Sequence, residues 1–314
     1  MNKVLIYHKI DKKDVDYLNK KYADCNFIAC TNKTEMEKQI EDTDILITFK
    51  FNMEMLERAK KVKWIQALSA GIDSYPLEEI SERGIILTNG RGIHKIHMAE
   101  YAICVMIMLA RNIHIMLQNK YEGKWNRKVN QGEINGATLG ILGLGSIGME
   151  IAKKAKLMGM RVIGVKGSIS NVEYADKVYL PNDMTQVFKT SDYIINLLPS
   201  VQNTFKIIDK RYFDIMKKDA CFISMGRGNT VNEEDMIQAL KDGKIRALAS
   251  DVFFTEPLPE DSPLWEMENV IITPHICGES NKYIERALPI IENNIKAYQG
   301  EGEFINLVSF EKGY

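Results

Sequence analysis

Thr138-Leu139-Gly140-Ile141-Leu142-Gly143-Leu144-Gly145-Ser146-Ile147-Gly148 is the stretch on which the fold of this chain turns. A short apolar run enters three glycines at G-x-G-x-x-G spacing, and Met149 to Ala155 behind them carry the periodicity of a helix. In that strand-turn-helix context a glycine triplet reads as a dinucleotide fingerprint. Gly143 permits the tight turn, Gly145 lets the backbone approach a pyrophosphate with no Cβ in the way, and Gly148 lets helix and strand pack closely. The helix N-terminus, at Ser146 and Ile147, then offers unpaired N–H groups to the anion. A second strand at Arg161 to Val165 completes the unit.

The end of that second strand selects between dinucleotides. NAD-binding versions close it with an acidic residue about 20 positions beyond the glycines, which accepts hydrogen bonds from the ribose hydroxyls. Here the strand runs into Lys166-Gly167-Ser168, with no carboxylate. A lysine repels no phosphate, and with the Ser168 hydroxyl and loop amides it can hold the extra 2′-phosphate of NADP. This favours NADP(H) over NAD(H); the plain alternative is a solvated strand-end lysine.

With 314 residues, 45% hydrophobic and 26% charged, the chain has a globular composition and room for two domains. Its 41 basic and 42 acidic residues nearly cancel, so no overall field draws it to nucleic acid or to an anionic membrane. The N-terminal residues Met1 to Tyr7 lack the pattern of a signal peptide, and Arg111 and His114 interrupt the most apolar stretch, Tyr101 to Leu117. A cytoplasmic protein is expected. Cys25, Cys30, Cys104, Cys221 and Cys277 are odd in number and form no paired metal-ligand spacing, so they are expected as reduced, buried thiols with no metal.

Before the fingerprint, β-rich runs alternate with helical ones: Val4 to Tyr7 and Val15 to Tyr22, Phe27 to Cys30 and Glu35 to Ile40, Ile45 to Phe49 and Met53 to Lys60. Strands at Trp64 to Ala67 and Ile85 to Thr88 follow. Such alternation predicts a parallel sheet covered on both faces. After the fingerprint, strands are expected at 177–180, 193–198, 221–224, 246–251 and 270–273, with helices at 183–190 and 233–241. A helix over Asn281 to Gln299, kinked at Pro289, and a strand-like tail at Phe304 to Val308 close the chain. The expected fold is α/β, with two doubly wound, Rossmann-like parallel-sheet domains. A flavodoxin-like substrate domain, 1–93 and 282–314, has the dinucleotide-binding domain, 94–281, inserted in it, and the ligand cleft is expected between the two.

In the first domain, the loop Leu68-Ser69-Ala70-Gly71-Ile72-Asp73 follows a strand, where open α/β sheets place ligand-contacting turns. Its small residues can turn backbone N–H groups toward a carboxylate, although an ordinary turn fits equally. Lys50, just past the third strand, can reach an anionic substrate or remain solvated. Ala99 to Leu117 reads as one long helix, apolar almost all round, which implies burial between domains or against a second subunit. His94 and His97 before it read as structural histidines. A polar linker over Asn126 to Gly136 leads into the fingerprint.

Three strand ends of the second domain carry Gly226-Arg227-Gly228, Asp251-Val252-Phe253-Phe254-Thr255-Glu256-Pro257 and Thr273-Pro274-His275. A nicotinamide enzyme needs a cation to hold a substrate carboxylate and an acid/base for the reacting oxygen. Arg227 can present its planar fork bidentately, and His275 can move the proton. A carboxylate such as Glu256, hydrogen-bonded to one ring nitrogen of a histidine, favours its protonated form. Each residue taken singly also has a plain structural reading.

As a set, LSAGID, AEYA, GLGSIG, LLPS, MGRGNTV, DVFFTEP and TPHICG fall in the order of the D-isomer-specific 2-hydroxyacid dehydrogenases, which the chain resembles from end to end. The resemblance implies that Arg227 binds a 2-oxo acid, that His275 donates the proton in reduction and that Glu256 pairs with it. It implies substrate contacts from the backbone of Ala70, Gly71 and Ile72. Cofactor contacts are implied at the glycine loop, Leu198, Pro199, Gly226, His275 and Gly278, with Asp251 orienting the nicotinamide carboxamide. A homodimer through the long helix is implied as well. The chain is most similar to the glyoxylate/hydroxypyruvate reductase-like branch, whose second strands often end in basic residues. Phosphoglycerate and D-lactate dehydrogenases of the family are the alternatives. Formate dehydrogenases lack the glutamate that stands here at 256. From another class, a dinucleotide-sensing corepressor-like protein shares the fold, but the intact Arg227, Glu256 and His275 speak for an enzyme.

Overall fold

Two parallel sheets grow from these alternating segments in the computed structural model, which describes residues 1–168 and 172–310. The chain divides into one unit of Met1–Ile93 with the segment from Ser280 on, and a second of His94–Glu279. The fold is α/β with Rossmann-like doubly wound sheets.

The first unit contains β1 (Asn2–Tyr7), α1 (Lys12–Lys21), β2 (Cys25–Cys30), α2 (Lys33–Ile40), β3 (Ile45–Thr48), α3 (Met53–Arg58), β4 (Trp64–Ala67), α4 (Leu77–Glu82) and β5 (Ile86–Thr88). The strand order is β2-β1-β3-β4-β5, all parallel. Val4, Ile6, Ile45, Ile47 and Trp64 face one side, where a C-terminal helix packs with Ala287, Ile291 and Ile295. Leu5, Leu46, Ile65 and Leu87 face the other. Gln66 and Asn294 are buried polar residues joined directly: Asn294 Nδ2 donates to Gln66 Oε1 at 2.9 Å, and Thr88 Oγ1 donates to the same oxygen at 2.8 Å. Trp64 Nε1 donates to Thr88 at 2.9 Å, which satisfies the indole inside the core.

The second unit contains α5 (Lys95–Ala110), α6 (Ile113–Tyr121), β6 (Thr138–Leu142), α7 (Ser146–Leu157), β7 (Arg161–Val165), β8 (Lys177–Tyr179), α8 (Met184–Thr190), β9 (Tyr193–Asn196), α9 (Lys210–Phe213), β10 (Cys221–Ser224), α10 (Glu233–Lys241), β11 (Ala247–Ser250) and β12 (Val270–Ile272). The C-terminal helix of the first unit is α11 (Tyr283–Tyr298). The second sheet runs β12-β11-β10-β9-β6-β7-β8, parallel throughout. Strand order reverses between β6 and β9, and ligands bind outside the carboxyl ends at such a reversal. The glycine loop follows β6 directly.

Three expectations are corrected. The helix expected at Ala99 to Leu117 is two helices, α5 and α6, bent by 70° at Arg111–Asn112. Asn112 takes the left-handed conformation, φ 48°, which asparagine tolerates better than most residues, and its Nδ2 donates to Asn130 O at 2.9 Å. No single helix among the described residues is long and apolar enough to cross a membrane. Cys104 is exposed, because α5 turns Ala102, Val105 and Met106 rather than Cys104 into the core; the other four thiols are buried. The tail at Phe304 to Val308 forms a single antiparallel bridge, Thr88 to Leu307, instead of a strand. Pro289 lies within α11, which is continuous from Tyr283 to Tyr298.

Candidate active site

The carboxyl ends of the second sheet carry the glycine loop. Gly143 turns at φ 106°, which an L side chain rarely adopts, and a Cβ at Gly148 would stand 2.3 Å from Gly143 O. Gly145 caps α7, and a Cβ added there would meet nothing within 4 Å, so the turn is open on the side that a pyrophosphate approaches. At Ser146 and Ile147 the first-turn amides precede any intrahelical acceptor. This loop therefore fits a dinucleotide, with the helix dipole favouring its anion. Across the reversal, Leu198 N donates to Asn196 Oδ1 at 3.1 Å, which holds the Leu198-Pro199 turn after β9.

At the end of β7, Lys166 is half-buried and its N–H donates to Tyr179 O at 3.0 Å, while Gly167 and Ser168 are exposed. Among the described residues of this strand end, Lys166 to Ser168, there is no carboxylate. Lys50, in the first unit, is exposed just beyond β3.

Beyond β10, Gly226 and Gly228 fix the backbone around Arg227. A Cβ at Gly226 would be 2.6 Å from Leu198 O, and one at Gly228 1.9 Å from Phe253 O, so only glycine fits either place. Arg227 is partly buried, and its Nη1 donates to Gly226 O at 2.9 Å.

Glu256 uses both carboxylate oxygens. Oε1 accepts from Phe253 N at 2.9 Å, which fixes the carboxylate, and Oε2 meets His275 Nδ1 at 2.6 Å. With Nδ1 engaged by the carboxylate, Nε2 is the ring nitrogen that Glu256 leaves unoccupied. The His275 side chain remains 47% exposed, so that nitrogen can meet a reactant. His275 has φ 54°, a left-handed conformation that costs of order 1–3 kcal/mol in a non-glycine residue and persists where surroundings enforce it.

The buried Asp251 supplies that enforcement. Oδ1 accepts from Ile276 N at 3.0 Å and from Thr273 Oγ1 at 2.5 Å, and Oδ2 accepts from Cys277 N at 2.9 Å. Sequence reading missed Tyr101, whose hydroxyl lies 2.7 Å from Thr273 Oγ1. It treated Thr273 only as part of a motif. The periodicity of an apolar helix gives no sign that one tyrosine on it reaches a strand end more than 170 residues away.

The two histidines before and in α5 border the same loop. His97 Nε2 donates to Gly278 O at 2.8 Å, and a Cβ at Gly278 would lie 3.4 Å from His94 Cδ2. Burial, with smaller contributions from His97 and Arg227, pushes the His94 pKa down to about 4. His94 is therefore neutral in the folded protein between pH 4 and 6.5, where an unfolded chain would protonate it. Folded-state stability should fall as pH drops through that window and level off below it. The expected loss is about 3 kcal/mol. Thermal melts of the wild type and of His94→Gln between pH 7 and 4 check this: the variant should have the shallower acid slope.

In the first unit, the loop after β4 is tied down through its backbone. Gly90 N donates to Ser69 O at 2.8 Å, Asn89 Nδ2 donates to Ala70 O at 3.1 Å, and Ile72 is buried as an anchor. Ala70 and Gly71 are partly exposed.

Residues 103–277 match the family model described as D-isomer specific 2-hydroxyacid dehydrogenase, NAD binding domain. A D-3-phosphoglycerate dehydrogenase of Methanocaldococcus jannaschii is 36% identical over 84% of this chain, which spans about half of that relative's length, 51%. A hydroxypyruvate reductase of Thermotoga maritima is 33% identical over 82% of this chain and 85% of its own. The crystal structure of a D-isomer specific 2-hydroxyacid dehydrogenase family protein from Aeromonas salmonicida is similar with a TM-score of 0.87 at 31% identity, covering 98% of this chain and 99% of that one.

Proposed function

We propose, since this chain belongs to the D-isomer specific 2-hydroxyacid dehydrogenase family, that it reduces a small 2-oxo acid of the glyoxylate or hydroxypyruvate kind to the D-2-hydroxy acid. The observation that carries this reading is the 2.6 Å contact between His275 Nδ1 and Glu256 Oε2 on the sheet that bears the dinucleotide loop. The glycine loop at Gly143 to Gly148 would hold a nicotinamide dinucleotide, which would supply the hydride for C2 of the acid. His275 gives its Nε2 proton to the C2 oxygen, and in the reverse direction the same nitrogen takes that proton back. Glu256 keeps the ring in the tautomer and orientation that this requires. Arg227 holds the substrate carboxylate through two parallel hydrogen bonds, so that the carbonyl is oriented before reaction. A carboxylate-binding role for the backbone of Ala70, Gly71 and Ile72 is supported by the small side chains of that turn. A substrate role for Lys50 rests on its exposure and charge alone.

NADPH is the preferred donor in this reading, supported by Lys166, Gly167 and Ser168 where an acidic residue would otherwise meet the ribose. Gly226, Leu198, Pro199 and Gly278 belong to the walls of the dinucleotide site. A homodimer is supported by an apolar groove of about 560 Å³ on α5, α6 and α7, lined by Ile103, Cys104, Ile107, Met108, Ile113 and Leu157, which a second copy would cover. Light scattering that gives the mass of one chain would remove the dimer.

A phosphorylated substrate is the second reading, favoured by the 36% identity to a relative named D-3-phosphoglycerate dehydrogenase. Initial rates of NADPH and NADH oxidation with glyoxylate, hydroxypyruvate, pyruvate, 2-oxoisocaproate, 2-ketopantoate and 3-phosphohydroxypyruvate separate the two. The expected result is turnover of the small unphosphorylated acids, faster with NADPH. A preference for 3-phosphohydroxypyruvate would move the assignment to the second reading. No turnover with dinucleotide still bound would point instead to a sensing role.

A further inference from the structure

We propose that Tyr101 is a positioning residue for His275, acting through the Thr273 hydroxyl and the Asp251 carboxylate. The inference rests on His275 as the proton donor argued above. Thr273 Oγ1 carries one proton, and at 2.5 Å from Asp251 Oδ1 that proton is committed to the carboxylate. The Tyr101 hydroxyl, 2.7 Å from Thr273 Oγ1, is then the donor to that hydroxyl oxygen. Burial raises the Tyr101 pKa, so the phenol keeps its proton across the working range. The hydrogen bonds thus run one way, from Tyr101 to Thr273 to Asp251.

The far end of this chain is the backbone on both sides of His275. Asp251 accepts the N–H groups of Ile276 and Cys277. Before His275, Thr273 N donates to Ser250 O at 3.0 Å, and His275 N donates to Thr273 O at 3.1 Å. His275 is therefore clamped from residue 273 on one side and from 276 and 277 on the other, in a conformation it would not hold unaided. Three donors converge on this one carboxylate, two on Oδ1 and one on Oδ2. Both oxygens of Asp251 thus take part in holding this loop. Tyr101 enters because a hydroxyl that donates to a carboxylate donates more strongly when it accepts a hydrogen bond itself. Without the phenol, the Thr273 rotor loses the partner that fixes its direction, and the clamp loosens at residue 273.

Tyr101→Phe removes the oxygen and keeps the ring, and Thr273→Val breaks the chain one link later. Each is measured by the imidazole resonances of His275, assigned by their loss in His275→Gln, by the Kd for NADPH, and by kcat on the best acid of the panel. We expect shifted or doubled His275 resonances in both variants. For Tyr101→Phe we expect kcat lower by about tenfold, the rate factor of one lost hydrogen bond, with Kd for NADPH changed by less than about twofold. Thr273→Ser, which keeps the hydroxyl, should restore the wild-type resonance. A His275 resonance at its wild-type position in either Tyr101→Phe or Thr273→Val overturns the proposal. That readout needs no turnover, so an error in the assigned reaction would be visible separately, as inactivity of the wild type.

Discussion

Replacing His275 with alanine is expected to lower turnover by about two to four orders of magnitude, the contribution of a positioned general acid. The dinucleotide should still bind, because the pyrophosphate turn at Gly143 to Gly148 does not depend on the imidazole. The variant removes the ring that Glu256 Oε2 meets at 2.6 Å, and with it the Nε2 proton. Glu256 itself stays anchored, since Oε1 accepts from Phe253 N at 2.9 Å whether or not the histidine is present. Stopped-flow reduction of the oxo acid, with fluorescence titration of NADPH, separates the two effects. Turnover within tenfold of wild type would remove His275 from the proton step.

Arg227→Ala is expected to lower kcat/KM by about 30-fold to several thousand-fold, the rate equivalent of roughly 2–5 kcal/mol for one partner of a desolvated charge pair. Both parameters should move: KM rises as the carboxylate loses its anchor, and kcat falls as the carbonyl loses its orientation. Arg227→Lys should recover part of the binding and little of the orientation, because an ammonium cannot make two parallel bonds to one carboxylate. The flanking glycines make the site sensitive to backbone change as well, since neither Gly226 nor Gly228 has room for a Cβ. A rise in KM with kcat unchanged would assign Arg227 to binding alone.

How far the sequence is legible depends on the range of the interaction that decides each feature. The β6–α7 turn is readable because its requirement is local: glycine at 143 for its φ, and glycine at 148 for a contact with Gly143 O only five residues back. The alternation that builds both sheets is local too, so strands such as Cys221–Ser224 and Trp64–Ala67 coincide with the apolar runs that predict them. The break at Arg111–Asn112 is not readable from periodicity, because apolar residues continue on both sides. What sets the end of α5 includes a distant donor, Arg246 Nη1, bonded to Leu109 O at 3.0 Å. The exposure of Cys104 is equally invisible in a helix apolar all round, since the packing partner chooses the buried face. The link from Tyr101 to Asp251 joins three chain-distant residues whose types are each common in plain structural roles.

The buried contact between Gln66 and Asn294 has a consequence for the order in which the chain is assembled. Its two ends are 228 residues apart, and the whole of His94–Glu279 lies between them. During synthesis the inserted unit leaves the ribosome as one contiguous segment and can close on itself. The sheet begun by β1 to β5 must wait for α11 to cover the face bearing Trp64 and Ile47. Closing so long a loop is entropically costly while the intervening chain is open, and folding of the inserted unit shortens the effective span. Of the two units, the one whose synthesis starts earlier is completed later.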